Sequence, residues 1–286
     1  MIRRSICLVF ALALTLLGGP AFAQSSDDDV ALKPAEPDYT IVNLPTSLRL
    51  PVMKDEIRIT HRFVRPLKCD SCPNSLLADA FGIDVGADIG LEWRMGIIPS
   101  GQIVVHRAND KTIEFMGEYS LTRQSGSMPL EIAALAAVQG AKNFTTVYSP
   151  SVGLVLTRLF GDGGAIHVDP IWTHNTNKFF NVHPDPNVTE TDKDTLMVGV
   201  GARVRVGKTL YLTGEATPRV SGFRPGKTVA AFAIEKRMGG HMFQLNFANA
   251  NQTMTFGQLA EGTARALSPS GKAQWYMGFN ITRKFF

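Results

Sequence analysis

The stretch Ile83-Asp84-Val85-Gly86-Ala87-Asp88-Ile89-Gly90-Leu91-Glu92-Trp93-Arg94-Met95 alternates without a break. On an extended chain successive side chains point to opposite sides, so Ile83, Val85, Ala87, Ile89, Leu91, Trp93 and Met95 share one face. Asp84, Gly86, Asp88, Gly90, Glu92 and Arg94 share the other. Two architectures fit one apolar face and one charged face. A water-soluble sandwich turns the apolar face inward, whereas a membrane barrel turns it to lipid and keeps the charges in the lumen.

The N-terminus narrows the choice. Arg3 and Arg4 precede an uncharged run from Ser5 to Leu17, followed by Gly18-Gly19-Pro20 and the small-residue site Ala21-Phe22-Ala23. This pattern predicts a secretory signal peptide over residues 1–23, cut before Gln24. The apolar run is too short for a spanning helix, which needs about 20 residues. Cys7 lies inside the run and is not placed to become a lipidated first residue. Cleavage removes two arginines and lowers the formal charge of +4 by two. The basic balance therefore says little about partners, and nothing in it points to nucleic acid. No later stretch approaches a spanning helix, so an exported chain of this kind is periplasmic, secreted, or inserted as a barrel. A mean hydropathy of +0.02 fits a barrel, whose alternation averages out.

The apolar phase marks about twelve strand candidates along the chain. After Ile57 to Phe63 and the opening stretch come segments around Ile103 and Val105, Ile113 to Leu121, and Leu130 to Val138, the last apolar on both faces. Val152 to Phe160, Ile166 to Trp172, Leu196 to Val206, Leu210 to Ala216, Thr228 to Arg237, His241 to Ala248 and Gln274 to Phe286 complete the series. No period of 3.6 persists. Long connections are expected at 66–81, 139–150, 173–194, 217–227 and 249–273. Short ones are expected near Pro99, at Gly161 to Gly164, at Gly207-Lys208 and at Gly239-Gly240. The connections near Asn109 and Gln124 depart from this rhythm. Long outer loops alternating with short periplasmic turns are the habit of bacterial outer-membrane barrels, and a sandwich gives no reason for them.

The last strand places Trp275, Met277, Phe279 and Ile281 on one face and stops at Phe286, resembling the terminal aromatic signal that such barrels present to their assembly machinery. Asn43-Leu44-Pro45-Thr46, His61-Arg62-Phe63, Phe81-Gly82-Ile83-Asp84, Lys111-Thr112-Ile113-Glu114, Glu235-Lys236 and Gly239 to Phe247 resemble a family of exported bacterial β-barrel proteins catalogued as a domain of unknown function. The resemblance runs from about Asn43 to the end. It implies a barrel and no particular activity.

Gln24 to Pro51 is polar and rich in proline, with Asp27 to Asp29 and Pro34, Pro37, Pro45 and Pro51, and reads as a periplasmic leader. An alternative is a partial plug, or a contact for another periplasmic protein, carried by Ile41, Val42 and Leu44. Cys69 and Cys72 are the only cysteines after the signal peptide, and the first outer loop is an oxidising place, so a local disulfide is expected. Pro73 stands where haem attachment needs a histidine, and a zinc site lacks two partners. Glu114 and Glu118 share a face about 13 Å apart, too far for a paired-carboxylate hydrolase. His167 and Asp169, about 7 Å apart, form a base with an orienting group only if a nucleophile comes from another strand, and no nucleophile motif follows. His174, His183, Asp185, Asn187, Glu190, Asp192 and Asp194 crowd the longest outer loop, where a divalent cation or plain solvation are the alternatives.

These observations predict an all-β fold: an antiparallel outer-membrane β-barrel of about twelve strands over residues 52–286. The expected function is a narrow channel for small polar solutes, without catalysis, cofactor or metal. Asp84, Asp88, Glu92, Arg94, Glu114, Glu118, His167, Asp169, Arg203, Arg205 and Glu215 are expected to line the lumen. A closed structural or binding barrel is the second reading, and an outer-membrane hydrolase the third. With twelve strands the second faces the eighth, so the row Asp84, Asp88 and Glu92 is expected opposite Arg203 and Arg205, either as a transverse field or cross-paired to fill the interior.

Overall fold

The computed structural model describes residues 34–69, 72, 74–176, 194–264 and 272–285. The signal peptide, the first part of the leader, Phe286 and most of the loop carrying His183, Asp185, Asn187, Glu190 and Asp192 lie outside the described residues.

The strands are β1 (Asp55–Pro66), β2 (Ala87–Ile98), β3 (Gly101–Ala108), β4 (Ile113–Thr122), β5 (Glu131–Gly140), β6 (Thr146–Leu159) and β7 (Gly164–Thr173). They continue as β8 (Thr195–Arg205), β9 (Leu210–Thr217), β10 (Arg219–Ser221), β11 (Val229–Met238), β12 (His241–Ala248) and β13 (Tyr276–Phe285). Sequential neighbours pair antiparallel around the sheet, and β1 pairs with both β2 and β13, so the sheet closes on itself. β10 is a three-residue extension that pairs only with β8, which leaves twelve strands in the ring. Closure leaves the twelve ring strands without an open edge.

The alternation decides which face goes where. Ile59, Leu91, Phe115, Val152, Val200 and Leu245 point outward and are 38–55 % exposed. Their in-between neighbours Arg58, Glu92, Glu114, Ser151, His167 and Gln244 are buried in the interior. Apolar outside and polar inside is the inversion that lipid contact requires. β5 is apolar on both faces because its inward Ala133, Leu135 and Ala137 join a small apolar cluster with Ile41, Val42, Leu44, Phe256 and Leu259.

One end of the barrel carries the tight connections 99–100 and 239–240, and the other carries the loops 67–86 and 249–275. Two expectations about connections are corrected. The one expected at 139–150 is only residues 141–145, since β5 and β6 both run further than their apolar phase. The strand expected from Ile83 begins at Ala87. Ala80–Val85 instead winds through a tight 3-10 turn with Phe81 at φ 62° and Gly82 at φ 103°, and Gly86 follows at φ 106°. These left-handed values suit glycine and end the extended backbone, so the alternation of residues 83–86 belongs to an exposed turn. A short helix, α1 (Phe256–Glu261), lies in the β12–β13 loop, held by a capping box in which Thr255 and Gln258 satisfy each other's backbone N–H groups.

Candidate functional site

Among the described residues, two parts of the chain that are not wall strands occupy the interior of the ring. Residues 34–51, the described part of the stretch read as a leader, run inside the sheet, with Ala35, Tyr39, Ile41, Leu44 and Leu50 buried. They form a hairpin: Ile41 donates to the Leu44 carbonyl at 2.8 Å and Thr46 to the Tyr39 carbonyl at 3.0 Å. This corrects the leader reading over these residues and fits the alternative, a partial plug carried by Ile41, Val42 and Leu44, all of them buried. The polar composition that suggested solvent exposure serves a polar interior instead. Both ends of the hairpin lie at the tight-turn end. There Lys284 donates to the Pro37 carbonyl at 2.8 Å and Leu50 donates to Gln102 at 3.1 Å. The second part is the loop 249–264 with α1, which enters from the opposite end.

The wall grips the hairpin mainly by its backbone. The Glu215 carboxylate accepts from Val42 N at 3.0 Å, Leu44 N at 3.1 Å, Asn43 N at 2.9 Å and Asn43 Nδ2 at 2.6 Å. Such a concave set of N–H groups is an anion-binding nest, here filled by a side chain of the same chain. Arg58 donates to the Val42 carbonyl at 2.7 Å, Gln244 to Ile41 at 2.6 Å, and Arg203 to Thr40 at 2.8 Å. Two inward glycines of β8 make room for the apolar tip. A Cβ on Gly201 would sit 2.3 Å from Ile41 Cδ1, and one on Gly199 would sit 2.6 Å from Leu44 Cδ2. Asp38 pairs with Lys284 at 3.1 Å. Burial pushes the Asp38 carboxyl up, but Lys284, Arg203 and Arg58 more than offset this and hold it below its usual value.

Of the residues expected in the lumen, most are there and several are already paired. Glu92 lies 3.2 Å from Arg94 and 3.6 Å from Arg58. Arg94 also reaches Glu118 at 3.8 Å and Glu56 at 4.0 Å, and stacks over the Tyr39 ring. Arg203 holds Glu235 through two bonds of 2.8 and 3.1 Å. Asp88 accepts from Thr253 N at 2.6 Å, and Glu114 from Phe256 N at 3.0 Å, so both bind the loop that carries α1. His167 bonds Thr157 at 3.0 Å and lies 3.5 Å from Glu36 of the hairpin. Asp169 is fully buried, and among the described residues neither of its oxygens has a hydrogen-bond donor. His167 and Asp169 therefore do not form a bonded base-and-orienter pair.

Two placements are corrected. Asp84 is exposed in the 3-10 turn, outside the lumen. Arg205 shares the inward face of Arg203 but sits at the rim, where it donates to the carbonyls of Gly207 and Lys208 in the tight turn. Opposed rows of free charge are not found, because Glu92 and Arg203 are each neutralised by near neighbours. Arg58, Gln244, Asn280 and Lys284 are wall residues that the sequence reading passed over as lumen contacts. Each occupies an inward alternate position of β1, β12 or β13, so the strand phase alone could have found them. At the loop end Cys69 and Cys72 form a disulfide with Cα atoms 5.5 Å apart, and Arg65 pairs with Asp79 at 2.8 Å.

Comparison with known proteins agrees with this architecture. The NanC porin is similar at a TM-score of 0.50 and 6 % identity, over 82 % of this chain and 100 % of that one. The outer membrane protein Omp33 of Acinetobacter baumannii is similar at a TM-score of 0.42 and 9 % identity, over 82 % of this chain and 98 % of its own. A mutant of the Rh. blastica porin is similar at 0.34 and 11 %, over 69 % of this chain and 55 % of that one. At such identities the likeness to NanC porin concerns the fold alone. No curated protein matches the chain in sequence. The model of one family matches residues 38–285, from inside the hairpin to the end of β13. The chain belongs to that family, described as a membrane bound beta barrel domain (DUF5777).

Proposed function

We propose that this protein is a bacterial outer-membrane channel for small polar solutes, closed in the described conformation by its own hairpin and by the loop of α1. The observation that carries the reading is the origin of the wall's partners. Glu215, Arg58 and Gln244 spend their hydrogen bonds on the backbone of a segment that enters from one mouth and leaves by the same mouth. Once that segment withdraws, a twelve-stranded ring with a charged inner wall remains, and water replaces the lost bonds. The partners of such a protein are the outer-membrane lipid, the barrel assembly machinery and the permeating solute. Its role needs no catalytic residue.

A second reading, a closed structural barrel, draws support from the cavity between hairpin and loop. It is lined by Thr40, Arg58, Arg62, Glu92, His106 and Glu114, among others, and holds about 40 Å³, room for about three waters. Single-channel recording in planar bilayers separates the two. The channel reading expects discrete openings that become more frequent when Ile41→Ala/Leu44→Ala loosens the hairpin. Silence from both the parent protein and this variant, with folding confirmed by heat-modifiable gel mobility, supports the closed barrel.

A further inference from the structure

The wall of the lumen is not balanced in charge once the hairpin and the α1 loop are set aside. The cations Arg58, Arg94, Arg203 and Lys284 keep carboxylate partners on the wall itself, namely Glu92, Glu56, Glu118 and Glu235. Arg62 bonds Asn280 at 2.9 Å. Against Arg62, and Arg205 at the rim, stand four carboxylates that among the described residues have no wall cation in ion-pair contact. Glu215 is satisfied by the hairpin, Asp88 and Glu114 by the α1 loop, and Asp169 has no donor among the described residues.

The way Glu215 is satisfied shows what suits it. Its two oxygens converge on three backbone N–H groups and one amide N–H₂ from the turn Val42-Asn43-Leu44, so the hairpin presents the wall with a compact cluster of N–H donors. A small ammonium or polyamine carries the same donors together with a full positive charge, which strengthens each bond to a carboxylate. Asp169 lies within electrostatic reach of Glu215 and Glu118 and points at no donor, an arrangement that disfavours anions and is relieved by a cation. Rings of acidic side chains are also the usual means by which pores select cations.

We infer that the lumen takes small cationic solutes bearing N–H donors, with Glu215 and Asp169 as their contacts and the Val42–Leu44 turn as their internal mimic. This rests on the channel reading.

The test uses the full-length protein in planar bilayers, carrying Ile41→Ala/Leu44→Ala, which loosens the hairpin and leaves every wall charge in place. Under a KCl gradient the reversal potential should show preference for K⁺ over Cl⁻, and spermidine should block the K⁺ current. Glu215→Gln in the same background should weaken the spermidine block by about tenfold, the effect of one lost charge-assisted contact. Asp169→Asn should reduce the cation preference without closing the channel. Preference for Cl⁻, or a spermidine block that both substitutions leave unchanged, overturns the inference and leaves the channel standing. Absence of current from every folded variant removes the channel reading and this inference with it.

Discussion

Arg203→Gln is the substitution on which the charge pairing of the interior can be judged. The guanidinium and the Glu235 carboxylate are both fully buried. Their two bonds measure 2.8 and 3.1 Å, and the same guanidinium reaches the carbonyls of Thr40 at 2.8 Å and Asp38 at 3.3 Å. Glutamine loses the charge and most of these contacts, leaving Glu235 with the Gln244 amide at 2.7 Å as its remaining donor. Removing one partner of a buried ion pair costs about 3–5 kcal/mol, because the other charge stays desolvated. With a urea slope of about 2 kcal/mol/M, the unfolding midpoint should fall by roughly 2 M. The assay is reversible urea unfolding of the protein in lipid vesicles, followed by tryptophan fluorescence and by heat-modifiable mobility. Arg203→Gln combined with Glu235→Gln should recover most of the loss, since no buried charge is then unpaired. Arg205→Gln, at the exposed turn, should change stability by less than about 1 kcal/mol. Equal effects of Arg203→Gln and Arg205→Gln, or no recovery in the double variant, would refute the pairing argument.

Other outcomes follow from the same geometry. Val200→Arg, outward on the middle of β8, should cost about 2–4 kcal/mol, and Ile89→Arg, near the end of β2, should cost less because it lies nearer the interface, as measured by the same unfolding assay. Mass spectrometry after alkylation without reductant should find no labelled Cys69 or Cys72, and a tag inserted after Asn74 should be detected on intact cells; labelling only after permeabilisation would reverse the orientation of the barrel. The Asp38 carboxyl is held below its unfolded value, so the stability it contributes is complete above about pH 4 and is lost as pH falls through its lowered native value. Acid should therefore loosen the hairpin, seen as cleavage near the exposed Met53 by a protease active in acid, and Asp38→Asn should remove that pH dependence.

The ring itself was legible in the sequence because a strand declares its two faces at every second residue, and glycine-rich turns mark where the chain reverses. That same period misled at Ile83 to Gly86. An exposed turn can carry alternating residues by chance, and only the left-handed backbone at Gly82 and Gly86 tells it from a strand. The hairpin was harder to read. Its bonds join residues far apart in the chain, as Asn43 and Glu215 are, and no local pattern encodes such a pairing. Its prolines and acidic residues also match the composition of an exposed leader. α1 spans six residues, too few for a helical period to register, although Thr255-Phe256-Gly257-Gln258 carries the spacing of a capping box. The lumen contacts followed from phase, but depth along the strand did not. Arg203 and Arg205 look equivalent in the sequence and differ in the structure, the first being buried against the hairpin and Glu235 and the second bonded to the turn at the rim.

The hairpin within the ring enters and leaves by the same mouth, and this has a topological consequence. A segment that passes right through a closed ring must be threaded by a chain end, and can be extracted only by pulling that end back through. A doubled strand pushed in from one side is a bight, which can slide in or out without a chain end being drawn through the ring. The sheet can therefore seal, first strand to last, before or after the hairpin arrives. Among the described residues, occupancy of the interior is then governed by the balance of hydrogen bonds and apolar contacts at Glu215, Arg203 and the Gly199 and Gly201 sockets.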